Sequence, residues 1–414
     1  MNGSARLKIL ALAPACDGTD VGEAWCAYQW ITGLAERNQV TLLTMRKKGR
    51  LAPSRQLQDI EVVEWDDLPV VHRWERLNSM LKPGYVRYYK NARRWIRSNL
   101  AKGRHFDVAH QFSPIALRYP SPAAGLGIPL VIGPLAGSLE TPQPFQPECG
   151  NAPWYTRLRN LDTFRLRNDP LLRHTFSEAE VVIGVAPYVR SLLAHTPIKR
   201  FEMMSELGIH EMPGDLVARP QGNGLRLAHV GRAIRTKGLR DVVRAMAMLA
   251  DESNVTLESA GDGEELEMCR QEAEKLGVAH RITFHGRIPR EQVEDIYRRS
   301  DAFIFPSFRE PSGGVIFESL RHGLPVITTD RGGPAYVVDE SCGIRVPASS
   351  PEDLSFHLTR AIEQLADSPE MVTRLSAGAR KRMQTIGMWP KKIDWLSMLY
   401  QDVLSSQVIS EVNS

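Results

Sequence analysis

Residues 301–334 read DAFIFPSFREPSGGVIFESLRHGLPVITTDRGGP, and the order of apolar, glycine-rich and helical stretches in them decides the fold class. Ala302 to Phe305 is an apolar run of strand length. Pro306, Pro311, Gly313 and Gly314 predict a loop. Val315 to Arg321 then predicts a helix, and Pro325 to Thr328 a second buried strand. Strand, loop, helix and strand in this order form a unit of a parallel sheet with a crossover helix. A loop that feeds a helix presents free N–H groups, and the helix dipole adds attraction for an anion. Glu310 lies in the loop and Glu318 on the helix, eight positions apart. Carboxylates so placed accept strong hydrogen bonds from hydroxyls.

The same alternation extends outward. Before this stretch the pattern predicts strand Leu225 to Val230, helix Gly238 to Leu249, strand Val255 to Ser259, helix Glu264 to Leu276, strand Ile282 to Phe284 and helix Arg290 to Arg299. The N-terminal half predicts strand Leu7 to Ala13, a helix from Glu23 to Glu36 with Gly22 at its mouth, and strand Val40 to Thr44. Basic helices near Val71 to Met80 and Tyr85 to Ala101 follow. Further strands are predicted at Val108 to His110, Leu130 to Ile132 and Val181 to Val185, with a helix from Ala186 to Ala194. Gly137 to Phe176, rich in Pro and Arg, reads as one long loop. Gly208 to Gly224 holds Pro213, Gly214, Pro220, Gly222 and Gly224 and reads as a linker. The tail from Trp389 to Leu404 has apolar Ile393, Leu396, Met398, Leu399 and Val403 at amphipathic-helix spacing. The expected fold is α/β: two doubly wound Rossmann-like domains facing a central cleft, residues 1–208 and 225–388, with 209–224 as linker.

A length of 414 residues suits two cores rather than one. A hydrophobic fraction of 43% and a charged fraction of 24% are ordinary for a globular protein. No apolar run reaches the roughly 18 residues of a membrane span. Lys8, inside the first apolar stretch, favours a first strand over a signal peptide. Cys16, Cys26, Cys149, Cys269 and Cys342 are scattered and form no CxxC or Cys/His cluster, so reduced thiols in the cytosol and no structural metal are expected. The net charge of +4 hides an asymmetry: residues 1–210 carry 27 Lys+Arg against 19 Asp+Glu, leaving 25 against 29 in the rest. Val71 to Arg104 holds ten Lys/Arg and one Glu, interleaved with Trp74, Tyr85, Tyr88, Tyr89 and Trp95. That patch admits two readings, a solvated helix face or an anionic membrane surface. Nucleic acid is disfavoured because no recognition motif accompanies it.

Residues 229–238 read HVGRAIRTKG. Gly231 and Arg232 leave a strand, and Lys237 and Gly238 open the next helix. Arg232 and Lys237 can neutralise a diphosphate, one as a fork and one as a point charge. Alone the pair reads as solvated cations; upstream of Glu310 and Glu318 it reads as a phosphate seat. Gly261, Asp262 and Gly263 form a turn able to approach a nucleotide, a weak signal by itself. A nucleotide sugar unites diphosphate, ribose and hydroxyls.

With these motifs the chain resembles the retaining glycosyltransferases of GT-B fold, family four (glycosyl transferases group 1), over almost its whole length. The resemblance implies a metal-independent hexosyltransferase with no cofactor, taking a nucleoside-diphosphate sugar (UDP or GDP) as co-substrate. It implies donor contacts from Gly22, Gly231, Arg232, Lys237, Gly261, Asp262, Arg287, Ile288, Glu310, Gly313, Gly314, Val315 and Glu318. Glu310 would take sugar hydroxyls and Glu318 the ribose. The amides of Gly313, Gly314 and Val315 would seat sugar and phosphate, and the backbone of Ile288 the base. Arg232, Lys237, Glu310 and His110 would be the catalytic set. The tail helix 389–414 would complete the N-terminal domain, which would bind a lipid-linked or saccharide acceptor.

The N-terminal half departs from the family pattern. The loop DGTDVGE lacks a double glycine, and Phe112 stands at the second histidine position of the DVxHxH pattern. His110 is therefore either a structural strand-end histidine or a catalytic or acceptor-binding one. Gly133, Gly137 and Glu140 are the other acceptor-side candidates. The expected setting is cell-surface or exopolysaccharide synthesis, cytoplasmic or peripheral on the inner face of the membrane. A non-catalytic GT-B binding module and a transferase with a small-molecule acceptor are the alternatives. A nucleotide-dependent oxidoreductase is disfavoured, since Pro14 to Gly22 lacks G-x-G-x-x-G.

Overall fold

The computed structural model describes residues 6–68, 82–150, 160–214 and 224–412. The chain divides into two units. The first comprises Met1–Ser138, Pro153–Glu206 and Trp389–Ser414, and the second Leu139–Ala152 and Leu207–Met388.

The first unit is built on strands β1 (Lys8–Leu12), β2 (Gln39–Arg46), β3 (Glu61–Asp66), β4 (Val108–Gln111), β5 (Leu130–Leu135), β6 (Ala179–Gly184) and β7 (Phe201–Met203). All neighbours pair in parallel, in the order β3-β2-β1-β4-β5-β6-β7. The second unit holds β8 (Leu225–Val230), β9 (Val255–Ala260), β10 (Ile282–Gly286), β11 (Ala302–Phe305), β12 (Val326–Thr329) and β13 (Gly343–Val346). Its order is β10-β9-β8-β11-β12-β13, again all parallel. Both sheets reverse their winding between the first and fourth strands, β1 beside β4 and β8 beside β11. In open α/β sheets ligands collect outside the carboxyl ends of the strands at that reversal.

The central strands are apolar because both faces are covered. Ile9 to Leu12 and Ala302 to Ile304 are wholly buried. The expected doubly wound α/β class is therefore present in each unit. Three strands escaped the sequence reading, β3, β7 and β13, and all three are sheet edges. Edge strands are short or charged; β3 carries Glu61, Glu64 and Asp66, and Glu61 pairs with Arg104.

The region Gly137 to Phe176 is not one long loop. It contains a 3₁₀ segment, Gln143–Glu148, and helices Asn160–Asn168 and Pro170–Glu178. Asp169 caps the latter by accepting from the amides of Leu171 (3.0 Å) and Leu172 (3.3 Å), with Pro170 in the first turn. The polar, Arg-rich helix before it has no apolar stripe, which hid it. The helix expected at Val71 to Met80 and the linker residues 215–223 lie outside the described residues.

The tail helix, Trp389–Val412, belongs to the first unit and packs on helix Glu23–Ala35. Trp389 meets Trp30 edge-on at 5.1 Å between ring centroids. A Cβ on Gly33 would lie 2.7 Å from Ile393, so the glycine permits the close helix approach. Ile393, Leu396, Leu399, Tyr400 and Val403 are buried, whereas Met398, expected on the apolar face, is 61% exposed. Lys392, wholly enclosed, donates to the carbonyl of Ser205 at 2.7 Å, tying the helix to the last residues of the first unit. Ile393, Leu396, Leu399 and Val403 bury about 1.5–3 kcal/mol each, a sum comparable to a whole domain's stability. A chain ending at Met388 is expected to lose the first unit's share of the unfolding heat in calorimetry and to bind a hydrophobic dye. Parental unfolding heat and temperature in that chain would show the helix to be dispensable.

Candidate functional site

At the reversal in the second sheet, β8 leads into residues 231–238 and β11 into residues 306–313. The two loops are fastened together. Ser307 Oγ donates to the carbonyl of Thr236 at 2.8 Å. Gly238 has φ +81°, and a Cβ there would lie 2.4 Å from the carbonyl of Pro306. Main-chain bonds join the neighbouring loops as well. Gly231 N donates to Ala260 O (3.0 Å), Ala233 N to Asp262 O (3.0 Å), Glu265 N to Ala233 O (2.9 Å) and Gly261 N to Gly286 O (2.8 Å). A Cβ on Gly261 would sit 1.8 Å from the carbonyl of Gly231, so the turn after β9 needs glycine.

This backbone brings Lys237 and Glu310, 73 positions apart, into an ion pair. Both side chains are largely buried, and the Lys237 ammonium also lies 5.6 Å from the centre of the Phe305 ring. The other Glu310 oxygen accepts from the amides of Ser312 (3.2 Å) and Gly313 (3.1 Å). Burial works to raise the pKa of Glu310, but the Lys237 charge and those two amides outweigh it and hold the carboxyl below its usual range. Gly313, at φ +86°, caps helix Gly314–Arg321. Its amide is donated to Glu310, so of the three expected anion donors Gly314 and Val315 are those whose N–H groups have no carbonyl to meet within the helix.

Glu318 lies one helical turn beyond Gly314, half-buried, and accepts from the hydroxyl of Tyr297 at 3.3 Å. Burial raises its pKa, with Arg290 and Tyr297 opposing. The two glutamates are thus driven in opposite directions. Arg232 is exposed and makes no ion pair among the described residues. Asp262 and Arg287 are also exposed, and Ile288 packs beside the core under β8 and β11.

The third cation of the 229–238 motif went unread as a separate function. Arg235 is buried, binds both carboxylate oxygens of Asp241 (2.6 and 2.8 Å) and donates to Glu148 at 2.8 Å. Its role is to hold the turn from inside. A clue was present in the spacing: Asp241 follows Arg235 by six residues, across the start of a helix.

The remaining candidates belong to the first unit. Gly22, at φ +65°, caps helix Glu23–Ala35 and is exposed. Beside it Glu23 pairs with Lys82 at 2.6 Å and accepts from the amide of Ile115 at 3.2 Å. His110 is wholly buried and stacked on Phe112, with ring centres 3.8 Å apart. Its Nε2 lies 2.8 Å from the carbonyl of Gly133, and its Nδ1 2.5 Å from the hydroxyl of Tyr400. A carbonyl only accepts, so Nε2 carries the proton and Nδ1 accepts from the phenol. Burial pushes its pKa down to about 3 against the opposing Gly133 bond. Both ring nitrogens are thus engaged and the ring has no exposure, the arrangement of a packed strand-end histidine. Gly137 N donates to the hydroxyl of Tyr188 at 3.0 Å. Glu140 is exposed and falls in the second unit.

The family model "Glycosyltransferase Family 4" matches residues 22–203, and "Glycosyl transferases group 1" matches residues 219–382. A lipopolysaccharide core biosynthesis glycosyltransferase, LpsD of Rhizobium meliloti, is 32% identical over 157 residues, covering 38% of this chain and 43% of its own. A D-inositol 3-phosphate glycosyltransferase of Corynebacterium glutamicum is 30% identical over 189 residues, 44% of each chain. These matches span less than half the length of the curated relatives. Among solved structures, a glycosyltransferase of Rickettsia africae superposes with a TM-score of 0.63 at 15% identity, covering 97% of this chain and 99% of its own. Anabaena HepE in complex with UDP and glucose gives 0.58 at 17%, covering 96% and 100%. At those identities the superpositions show the fold.

The buried histidine sets a pH dependence. Unfolded His110 titrates near 6.5 and folded His110 near 3. Between those values the unfolded chain binds the extra proton, so stability is lost as pH falls through that window. His110→Gln retains a donor and an acceptor. It is expected to flatten the fall in unfolding free energy near pH 5 by about one proton, about 1.4 kcal/mol per pH unit. Parallel pH profiles for parent and variant would show that His110 is not held neutral.

Proposed function

The chain belongs to the group 1 glycosyltransferases of GT-B fold, and from that premise we propose that it transfers a sugar, with retention, from a nucleoside-diphosphate sugar to a lipid-linked or saccharide acceptor. The observation that carries the reading is the meeting of Lys237 and Glu310 at the reversal of the second sheet, with Arg232 exposed on the same loop as Lys237. Arg232 and Lys237 would take the diphosphate, and Gly314 and Val315 would add amide donors at the helix dipole's positive end. Glu310, held ionised, would accept from sugar hydroxyls. Glu318 would accept from the ribose, and the turn at Gly261 and Asp262 and the backbone at Arg287 and Ile288 would border the nucleotide.

In the reaction the bond between the anomeric carbon and the phosphate oxygen breaks while the acceptor oxygen bonds to that carbon on the same face. The acceptor's proton passes to the leaving diphosphate. The charge that develops on the diphosphate is stabilised by the two cations, which is electrostatic catalysis without a protein nucleophile. The UDP and UDP-glucose held by HepE structures support a diphosphate donor. The lipopolysaccharide role in the names of LpsD and LpsE of Rhizobium meliloti supports a saccharide or lipid-linked acceptor and a place in cell-surface or exopolysaccharide synthesis.

A peripheral membrane setting rests on helix Tyr85–Ala101. Tyr85, Tyr88, Ala92 and Ile96 face the core, while Arg87, Lys90, Arg94 and Arg97 are exposed at spacings of three and four residues, one stripe. No helix among the described residues is long and apolar enough to cross a membrane. A stripe of this kind suits the anionic lipids of a cytoplasmic leaflet, at about 1 kcal/mol per basic residue.

Two measurements test these readings. Arg232 is exposed and outside any described ion pair, so Arg232→Ala is expected to leave the unfolding temperature unchanged while abolishing transfer in a panel of UDP- and GDP-sugars. Lys237→Ala should abolish transfer as well, but with a lowered unfolding temperature because it strands Glu310, and Glu310→Gln should reduce turnover more than Glu318→Gln. Near-parental turnover in Arg232→Ala and Lys237→Ala would remove the phosphate assignment. For the stripe, co-sedimentation with phosphatidylserine-containing vesicles is expected at low salt, fading as added salt shortens the Debye length to about 3 Å at 1 M. Combined Lys90→Glu and Arg94→Glu should abolish it, and equal binding by parent and variant would leave the stripe a solvated face.

A further inference from the structure

Lys237 and Glu310 each stand two residues after an anchor. Arg235 precedes Lys237, and Phe308 precedes Glu310. Both anchors are gripped by one short segment that the chain inserts between β5 and β6. Phe145 in that segment has no exposure and packs on Phe308, ring centres 4.1 Å apart. The Arg235 guanidinium lies against both rings, 5.4 Å from the centre of Phe145 and 5.2 Å from that of Phe308. Glu148 accepts from Arg235 at 2.8 Å and from Arg244 at 2.9 and 3.2 Å. Thr141 Oγ1 accepts from Arg309 at 2.9 Å, one residue before Glu310. A Cβ on Gly332 would lie 2.2 Å from the carbonyl of Glu310 and 2.9 Å from the side chain of Leu139. The segment therefore touches the phosphate-side turn and the carboxylate loop at several points each.

We propose that residues Leu139 to Glu148 are a strap that positions the proposed donor site, with Phe145 and Glu148 as the residues that set where Lys237 and Glu310 stand. The inference rests on the donor reading given above and adds to it residues outside every donor motif. An aromatic ring and a carboxylate suit the task for a physical reason. The guanidinium of Arg235 is planar: its faces stack on rings, and its edge donates to carboxylates. Phe308 and Asp241 occupy part of each, and Phe145 and Glu148 complete them. Removing either strap residue leaves Arg235 a second arrangement, and Lys237 moves with it. A displacement of about 1 Å at a reacting group is enough to cost orders of magnitude in rate.

The test uses the full chain and four proteins: the parent, Glu148→Gln, Phe145→Leu and a control, Leu365→Ala, in the same hydrophobic cluster but on helix Pro351–Ala366. Glu148→Gln keeps the shape of the side chain, and Phe145→Leu keeps apolar bulk, so both should fold. Amide hydrogen exchange is read over residues 232–238 and 310–315, and UDP and GDP are titrated separately by calorimetry. Expected are faster exchange in both segments and about tenfold weaker nucleotide binding in the strap variants, with neither change in Leu365→Ala. Parental exchange in the strap variants, or equal acceleration in the control, would overturn the strap. If the parent binds neither nucleotide while the strap variants still exchange faster, the donor reading falls and the positioning role stands.

Discussion

A carboxylate as enclosed as Glu310 must be answered by positive charge, and the answer comes from Lys237, carried on a different loop. Removing one partner from a buried pair costs about 3–5 kcal/mol, because the other charge is stranded. On the proposed reading this constrains what the site accepts. A phosphate that captures Lys237 strands Glu310 unless hydroxyl donors arrive with it. A neutral sugar that captures Glu310 strands Lys237 unless an anion arrives with it. A sugar phosphate ester satisfies both at once, while the amides of Ser312 and Gly313 keep Glu310 in place throughout. The pair therefore favours ligands that join the two chemistries over ligands that bring one.

The backbone sets this pair up before any side chain does. Four main-chain bonds stitch the loops after β8, β9 and β10, and they require the close approach that Gly261 and Gly263 allow. The side chains then divide by direction. Within 229–238, Arg235 points inward to Asp241 and Glu148, Lys237 reaches across to Glu310, and Arg232 stays exposed. Three cations in six residues thus have three fates, set by what each meets.

That division explains what the sequence could and could not reveal. Interior strands were legible because two-sided burial demands an unbroken apolar run, and β8 and β11 match their expected limits residue for residue. Edge strands β3, β7 and β13 were not, since one partner and an open side remove that demand. The pairing of Lys237 with Glu310 was legible only as two neighbouring motifs; their contact needs the strand order. His110 could not be settled from its position at a strand end. Its fate depends on Tyr400, 290 residues away, and on the carbonyl of Gly133. The segment 139–148 was read only for Glu140, as an acceptor-side candidate, because the contacts of Phe145 and Glu148 are with residues far along the chain.

The two glutamates of the signature show how far spacing alone can mislead about role. Eight positions apart, they look interchangeable, yet burial raises both and only Glu310 has an ammonium and two amides to reverse it. Glu310 is thereby kept as a strong acceptor, which on the proposed reading suits it to sugar hydroxyls. Glu318 has a phenol and a more distant Arg290, and its charged form is disfavoured. An acceptor whose charge is already disfavoured gives up less when a ligand hydroxyl meets a neutral group in its place. On the proposed reading, charge at Glu310 would matter to the reaction centre, while Glu318 would contribute mainly a hydrogen-bonding partner of fixed position, one helical turn from Gly314.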